Sequence, residues 1–202
     1  MTLVKLCGLM SRGDVEMAID AGADMVGMVL SSGYRRSVPM DEAETMAGLA
    51  EGRATSVGVF VDEPIERLAS IALGTGIGMV QLHGSESPEY ITSVKAATRL
   101  PVVKSFCPGD PGIEGSPADL VLIDPGAGSG EAFDYSSVRG IRRDFILAGG
   151  LAPENVARAI AAAHPYAVDT SSGTEVDGIK DKERMGAFVR AVRSQDAEGV
   201  RI

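Results

Sequence analysis

Short apolar runs alternate with amphipathic stretches along nearly the whole chain, and this alternation constrains the fold more than any other feature. Leu3 to Cys7 reads as a strand, Arg12 to Ala21 as a helix closed by Gly22, and Asp24 to Leu30 as a second strand. The cadence continues with a helix over 41–50, a strand over 54–61, a proline-opened helix over 64–73, a strand over 78–82 and a helix over 88–97. Further strands fall at 101–105, 120–124, from Phe145 and from Tyr166, and a last helix runs from Asp181 to Arg193. Strands that return to one sheet through helices pair in parallel, because each return needs a crossover. Eight such units imply a closed (β/α)8 barrel of the TIM type, although an open doubly wound sheet shares the periodicity. One unit departs from the cadence: Phe106 to Pro117 is too rich in proline and glycine for a helix, so a loop is expected in place of helix five.

The length of 202 residues suits one barrel domain over 1–202, with a polar tail after about 194 expected to fray. The net charge of −9 argues against nucleic acid or an anionic membrane as partner, so an anionic small molecule has to be held locally. There is neither a basic leader with an apolar core nor an apolar run near eighteen residues, which makes the cytoplasm the expected location. In that compartment Cys7 and Cys107 are expected as free thiols.

The stretch from Phe145 to Gly173 reads as two halves of a phosphate cradle. Its first half is a buried strand breaking into Gly149-Gly150, with Pro153 opening a helix through Asn155, Val156 and Ile160. Its second half is a strand running into Thr170-Ser-Ser-Gly173. Glycines let backbone N–H groups approach an anion, and Ser171, Ser172 and a helix N-terminus add donors. Taken alone, Gly149-Gly150 is equally readable as a plain strand-to-helix turn.

In such a barrel the working groups lie at the C-terminal ends of the strands. Those ends offer Cys7, Arg35 and Arg36, Gln81 and His83, Lys104 and Cys107, Asp124, the glycine pair and Asp169, with no metal cluster. A thiol and a carboxylate at one mouth can act as base and acid if Cys7 is tuned down by a cation such as Lys5 and Asp124 is tuned up by burial. A free cysteine read alone is more often a small buried hydrophobe. Lys5 shares a face with Cys7 one layer deeper and demands a charged partner, Asp124 or Asp169. Arg36 can fork onto a substrate carboxylate, or stand with Arg35 as a solvated loop charge. His83 can orient a sugar hydroxyl, or be a satisfied core histidine, whereas His164 reads as a helix cap or surface group. Gly126 to Gly130 matches no nucleotide-binding spacing and reads as a lid over Asp124.

This set of strand ends resembles the phosphoribosylanthranilate isomerase family, small barrel enzymes of tryptophan biosynthesis. The resemblance rests on Val4-Lys-Leu-Cys-Gly-Leu9, Val80-Gln-Leu-His-Gly-Ser-Glu86, Leu147-Ala-Gly-Gly-Leu-Ala-Pro-Glu-Asn-Val156 and Val168-Asp-Thr-Ser-Ser-Gly-Thr-Glu175, and covers nearly the whole chain. It implies a cofactor-free Amadori rearrangement of N-(5-phosphoribosyl)anthranilate, by a monomer or homodimer. Asp124 would protonate the furanose oxygen and Cys7 would remove the C2 proton. Arg36 would bind the anthranilate carboxylate, and Gln81, His83 and Asp169 would line the sugar. Gly149, Gly150, Ser171, Ser172 and Gly173 would hold the phosphate. Met10-Ser11, Pro125 and Glu131 depart from the family pattern, and the short glycine-serine lid resembles archaeal-type members. A sister phosphate-binding barrel and a non-catalytic sugar-phosphate sensor are the rival readings.

Overall fold

Each apolar run forms a strand because it is flanked by stop signals, and each amphipathic run forms a helix because its apolar stripe has a sheet to cover. In the computed structural model, which describes residues 1–125 and 135–199, eight parallel strands close into a barrel in sequence order. They are β1 (Leu3–Leu6), β2 (Met25–Val29), β3 (Thr55–Phe60), β4 (Met79–Leu82), β5 (Val102–Phe106), β6 (Leu120–Ile123), β7 (Phe145–Leu147) and β8 (Ala167–Thr170). Closure is by β8 against β1, in a register that pairs Lys5 with Asp169. The open doubly wound alternative is thereby excluded.

Six α-helices pack outside among the described residues: α1 (Arg12–Ala21), α2 (Met40–Ala50), α3 (Ile65–Thr75), α4 (Pro88–Thr98), α5 (Val156–Ala163) and α6 (Lys182–Gly199). The outer core joins strand residues such as Val4, Leu6 and Val26 to helix residues such as Val15, Leu68 and Phe188. A separate inner cluster of Met25, Val57, Val103, Leu122, Ile146 and Ala167 plugs the barrel lumen. Local chemistry sets several boundaries. Ser11 and Asp14 close a reciprocal capping box on α1, and Ser87 caps α4 with Pro88 in its first turn.

The loop expected in place of a helix after β5 is present, and it is held from outside. Arg143 donates to the carbonyls of Ile113 and Ser116 from Nη1 (3.0 and 2.9 Å) and to Ala118 from Nη2 (2.5 Å). One guanidinium therefore satisfies acceptors that a helix would have paired internally. No described helix is long and apolar enough to cross a membrane.

Three details differ from expectation. α5 begins at Val156 rather than Pro153, because the Asn155 side chain is engaged by the preceding turn, accepting from Ala152 N and donating to Gly150 O, both at 2.9 Å. The polar stretch after 194 continues α6 to Gly199, fastened where Asp196 accepts from Thr2 N (2.7 Å) and Thr2 Oγ1 (2.9 Å). An unanticipated hairpin, β9 (Glu175–Val176) and β10 (Ile179–Lys180), follows β8. Its two-residue turn is Asp177-Gly178, with φ of 50° and 81°, the left-handed pair that a type I′ turn requires.

Candidate active site

Parallel closure brings the C-terminal ends of all eight strands to one mouth. From β1, Lys5 points into the lumen, fully buried, with Nζ 3.0 Å from Asp169 Oδ1 on β8. Of the two partners open to Lys5 in the sequence, Asp169 is the one it meets. Burial disfavours the ammonium, yet the charge of Asp169 and the Cys7 sulfur more than offset it, and the Lys5 pKa is pushed up to about 12.

Cys7 leaves β1 at the same mouth, also buried, with its sulfur against β2: a Cβ on Gly27 would stand 2.7 Å from Sγ. Glycine at that point of β2 is what makes room for the thiol. The expected lowering of the Cys7 pKa is not met. Lys5 and Lys180 favour the thiolate, but burial is the larger influence and Asp169 adds to it, so the Cys7 pKa lies above its ordinary value. The thiol is the resting form near neutrality, and the thiolate is the minor one.

On β4, Gln81 and His83 share a face, with Gln81 Nε2 3.0 Å from His83 Nδ1. His83 Nε2 lies 3.7 Å from Asp124 Oδ2 at the end of β6. Burial is the main influence on His83 and holds its pKa below the ordinary value despite Asp124, so the ring is neutral at pH 7. Gln81 Oε1, buried, has no protein partner among the described residues, which leaves one acceptor at the mouth for a ligand or water. His83 and Asp124 both line a cavity of about 440 Å³ with Lys104, Phe106 and Cys107. A hollow of about 450 Å³ beside Arg139, Arg142 and Tyr166 lies at the other end of β7 and holds none of these groups. Lys104 is committed elsewhere, 3.1 Å from Glu86 Oε2, and His164 is an exposed left-handed residue ending α5.

The two cradle halves are stitched together. Thr170 Oγ1 donates to Leu151 O at 2.6 Å, and a Cβ on Gly173 would stand 2.0 Å from that same carbonyl oxygen. Gly149, at φ +87°, lies so close to the acid that a Cβ there would be 2.3 Å from Pro125 Cδ and 3.0 Å from Asp124 Oδ1. The glycine pair is therefore more than a tight turn, since Gly149 abuts Asp124 and Leu151, the residue after the pair, meets the second cradle half. The expected lid over 126–130, and Glu131 with it, lie outside the described residues.

Two residues that sequence reasoning passed over complete the mouth. Glu175 accepts from Arg36 Nε and Nη2, both at 2.9 Å, and from Arg35 Nη2 at 3.1 Å. Lys180 Nζ lies 3.0 Å from Glu175 Oε1 and donates to Ser171 O at 2.8 Å. Arg36 is thus a clamped residue and not a solvated loop charge. The Asp-Gly dipeptide was the signal that could have found this pair, because a two-residue turn places Glu175 opposite Lys180.

A closed parallel barrel with a thiol, a carboxylate and two glycine-rich turns at one mouth defines a TIM-barrel protein whose mouth carries groups able to move protons. The family model for N-(5'-phosphoribosyl)anthranilate isomerase matches residues 4–191. The chain belongs to the phosphoribosylanthranilate isomerase family. It is 40% identical to the isomerase of that name from Desulforudis audaxviator, over 96% of this chain and 98% of the relative. Among solved structures, the phosphoribosyl anthranilate isomerase of Thermus thermophilus superposes with a TM-score of 0.86 at 34% identity, over 96% of this chain and 99% of that one. A second, a phosphoribosyl anthranilate isomerase in complex with reduced 1-(o-carboxyphenylamino)-1-deoxyribulose 5-phosphate, superposes with a TM-score of 0.85 at 30% identity, over 96% and 100%. The expected archaeal affinity is not borne out: the curated relatives at 36–40% identity are bacterial. A glycine-serine stretch of a few residues is too small a segment to carry lineage against similarity over the whole chain.

Proposed function

We propose that this chain converts N-(5'-phosphoribosyl)anthranilate to 1-(2-carboxyphenylamino)-1-deoxy-D-ribulose 5-phosphate, a step of tryptophan biosynthesis. The observation that carries the reading is the placement of the Cys7 thiol beside the Lys5–Asp169 pair, at the mouth that also holds Asp124 and the stitched glycine cradle.

Asp124 in its acid form donates a proton to the furanose oxygen, the C1–O bond breaks, and the nitrogen lone pair forms the C1=N iminium. Cys7 as thiolate then takes the C2 proton, and the C–H electrons neutralise the iminium to give an enaminol. Tautomerisation yields the C2 ketone and the C1–N amine, with no net change in protons or electrons. Lys5 and Lys180 favour the minor thiolate form of Cys7 that takes this proton. Neutral His83 offers Nε2–H beside Asp124 while Gln81 holds its other nitrogen. The phosphate is read onto Gly149, Gly150, Ser171, Ser172 and Gly173, and the anthranilate carboxylate onto Arg36. Every one of these groups comes from one chain. The buried Cys7 and exposed Cys107 are free thiols, which suits a reducing cytoplasm.

The test is the decay of phosphoribosylanthranilate fluorescence on adding the protein, beside Cys7→Ala and Asp124→Asn. Fast decay that collapses in both variants, with the reduced product analogue still bound, supports the reading. Analogue binding without decay in the parent would leave a sugar-phosphate sensor. Decay untouched by Cys7→Ala would move the base, with Cys107 next.

A further inference from the structure

The β9–β10 hairpin is built so that one carboxylate faces several cations. Its register pairs Glu175 with Lys180, and the Asp-Gly turn fixes that register. The Glu175 side chain is only 6% exposed and that of Lys180 only 1%, so these charges are desolvated and their geometry is held. Arg36 meets Glu175 as a fork, through the Nε–Nη2 edge of its guanidinium. The Nη1 side is not part of that fork and is the side a second carboxylate can take. The arginine stem is placed as narrowly. A Cβ on Gly8, the residue after Cys7, would stand 2.6 Å from both Arg36 Cδ and Ser171 Oγ. Arg35 braces the same hairpin from the outside, donating from Nη1 to Gly178 O at 3.3 Å. Lys180 continues the chain of contacts to Ser171, at 2.8 Å to its carbonyl and 3.4 Å to its hydroxyl.

We infer that Glu175 is a positioning residue that aims two anion-binding groups at once: Arg36 at the aryl carboxylate and, through Lys180, the Ser171 turn at the phosphate. The inference rests on the isomerase reading for the identity of those two anions. It makes the ends of the substrate one mechanical unit, so that a substrate seated at both ends has its reacting carbons aligned between Cys7 and Asp124. Alignment of that kind acts on the chemical step. A bare change of protein charge does not, because carboxylate and phosphate carry the same charge in the ground and transition states, and such uniform binding alters KM alone.

The experiment is a comparison of Glu175→Gln and Glu175→Asp with the parent. Glu175→Gln is expected to lower kcat about 10- to 100-fold with KM within about threefold of the parent. Glu175→Asp, which keeps the charge and withdraws it by one methylene, is also expected to lower kcat. A raised KM at full kcat, or a lowered melting midpoint with full kcat per folded molecule, overturns the proposal. A second measurement needs no turnover: inorganic phosphate is titrated while the Arg36 Nε–H resonance is followed by NMR. A shift in the parent that disappears in Glu175→Gln supports the coupling, and a shift that persists in the variant, or is missing in the parent, overturns it. A parent that fails to turn over phosphoribosylanthranilate would refute the substrate, while the titration still decides the role of Glu175.

Discussion

Lys5→Met replaces a fully buried ammonium by an apolar chain of similar length and leaves Asp169, with a side chain only 10% exposed, without its 3.0 Å partner. Stranding one member of a buried pair costs about 3–5 kcal/mol, whereas replacing both members by apolar groups is often close to neutral. At about 2–4 °C per kcal/mol for a chain of this size, the single variant should melt about 6–20 °C lower. Lys5→Met/Asp169→Leu should recover most of that loss. The pair also sets a pH dependence. A lysine held at about 12 against an ordinary 10.5 gives stability that is fully present below about pH 10.5 and is lost as pH rises through 12. That difference corresponds to about 2 kcal/mol of alkaline-labile stability in the parent, absent from the Met variant. The same substitution removes the nearest cation from Cys7 and leaves Asp169, so the thiol pKa, already raised by burial, should rise further. The assays are urea unfolding across a pH series and iodoacetamide trapping of Cys7 in a Cys107→Ser background, since Cys107 is exposed. A Lys5→Met protein within 1 kcal/mol of the parent, or one whose Cys7 alkylates as fast at pH 8–9, would refute the reasoning.

Other perturbations probe separate links. Gly173→Ala places a methyl 2.0 Å from Leu151 O, a backbone atom anchored by Thr170, so phosphate binding by calorimetry should be lost along with about 1–3 kcal/mol of stability. Asp196→Ala removes two acceptor contacts to Thr2 and should cost about 1–2 kcal/mol in urea unfolding; no loss would mean that this end of α6 bears no load. Glu175 is opposed by burial, but Arg36 and Lys180 prevail and hold its pKa down to about 2. A depressed carboxylate contributes stability above about pH 4.5 that is lost as pH falls toward 2. Acid unfolding of Glu175→Gln should lack that part of the limb, and an unchanged acid titration would count against the ion pairs.

Much of the scaffold was legible because its signals are local. Strand and helix periodicity and the proline and glycine after β5 act within a few residues, and the observed elements follow the expected ones closely. The resemblance likewise named Cys7, His83 and the glycine turns from contiguous motifs, and implied roles for Arg36 and Asp124 outside them. The missed start of α5 was a local competition: Asn155 serves the preceding turn in preference to capping. The missed continuation of α6 depended on a partner at the other end of the chain.

What the sequence by itself determined is therefore the alternation, the parallel pairing it requires and the residue types at each strand end, whereas closure came with the pairing of β8 and β1. Only the tertiary structure decided who meets whom. Lys5 finds Asp169 across 164 residues, Arg36 finds Glu175 across 139, and Thr170 closes on Leu151 across 19. It also decided that burial outweighs the cations around Cys7, so that the base rests as a thiol. The physical reason is range. Periodicity and capping are properties of neighbouring residues, whereas desolvation and ion pairing depend on which distant segments barrel closure packs together, and no local pattern carries that information.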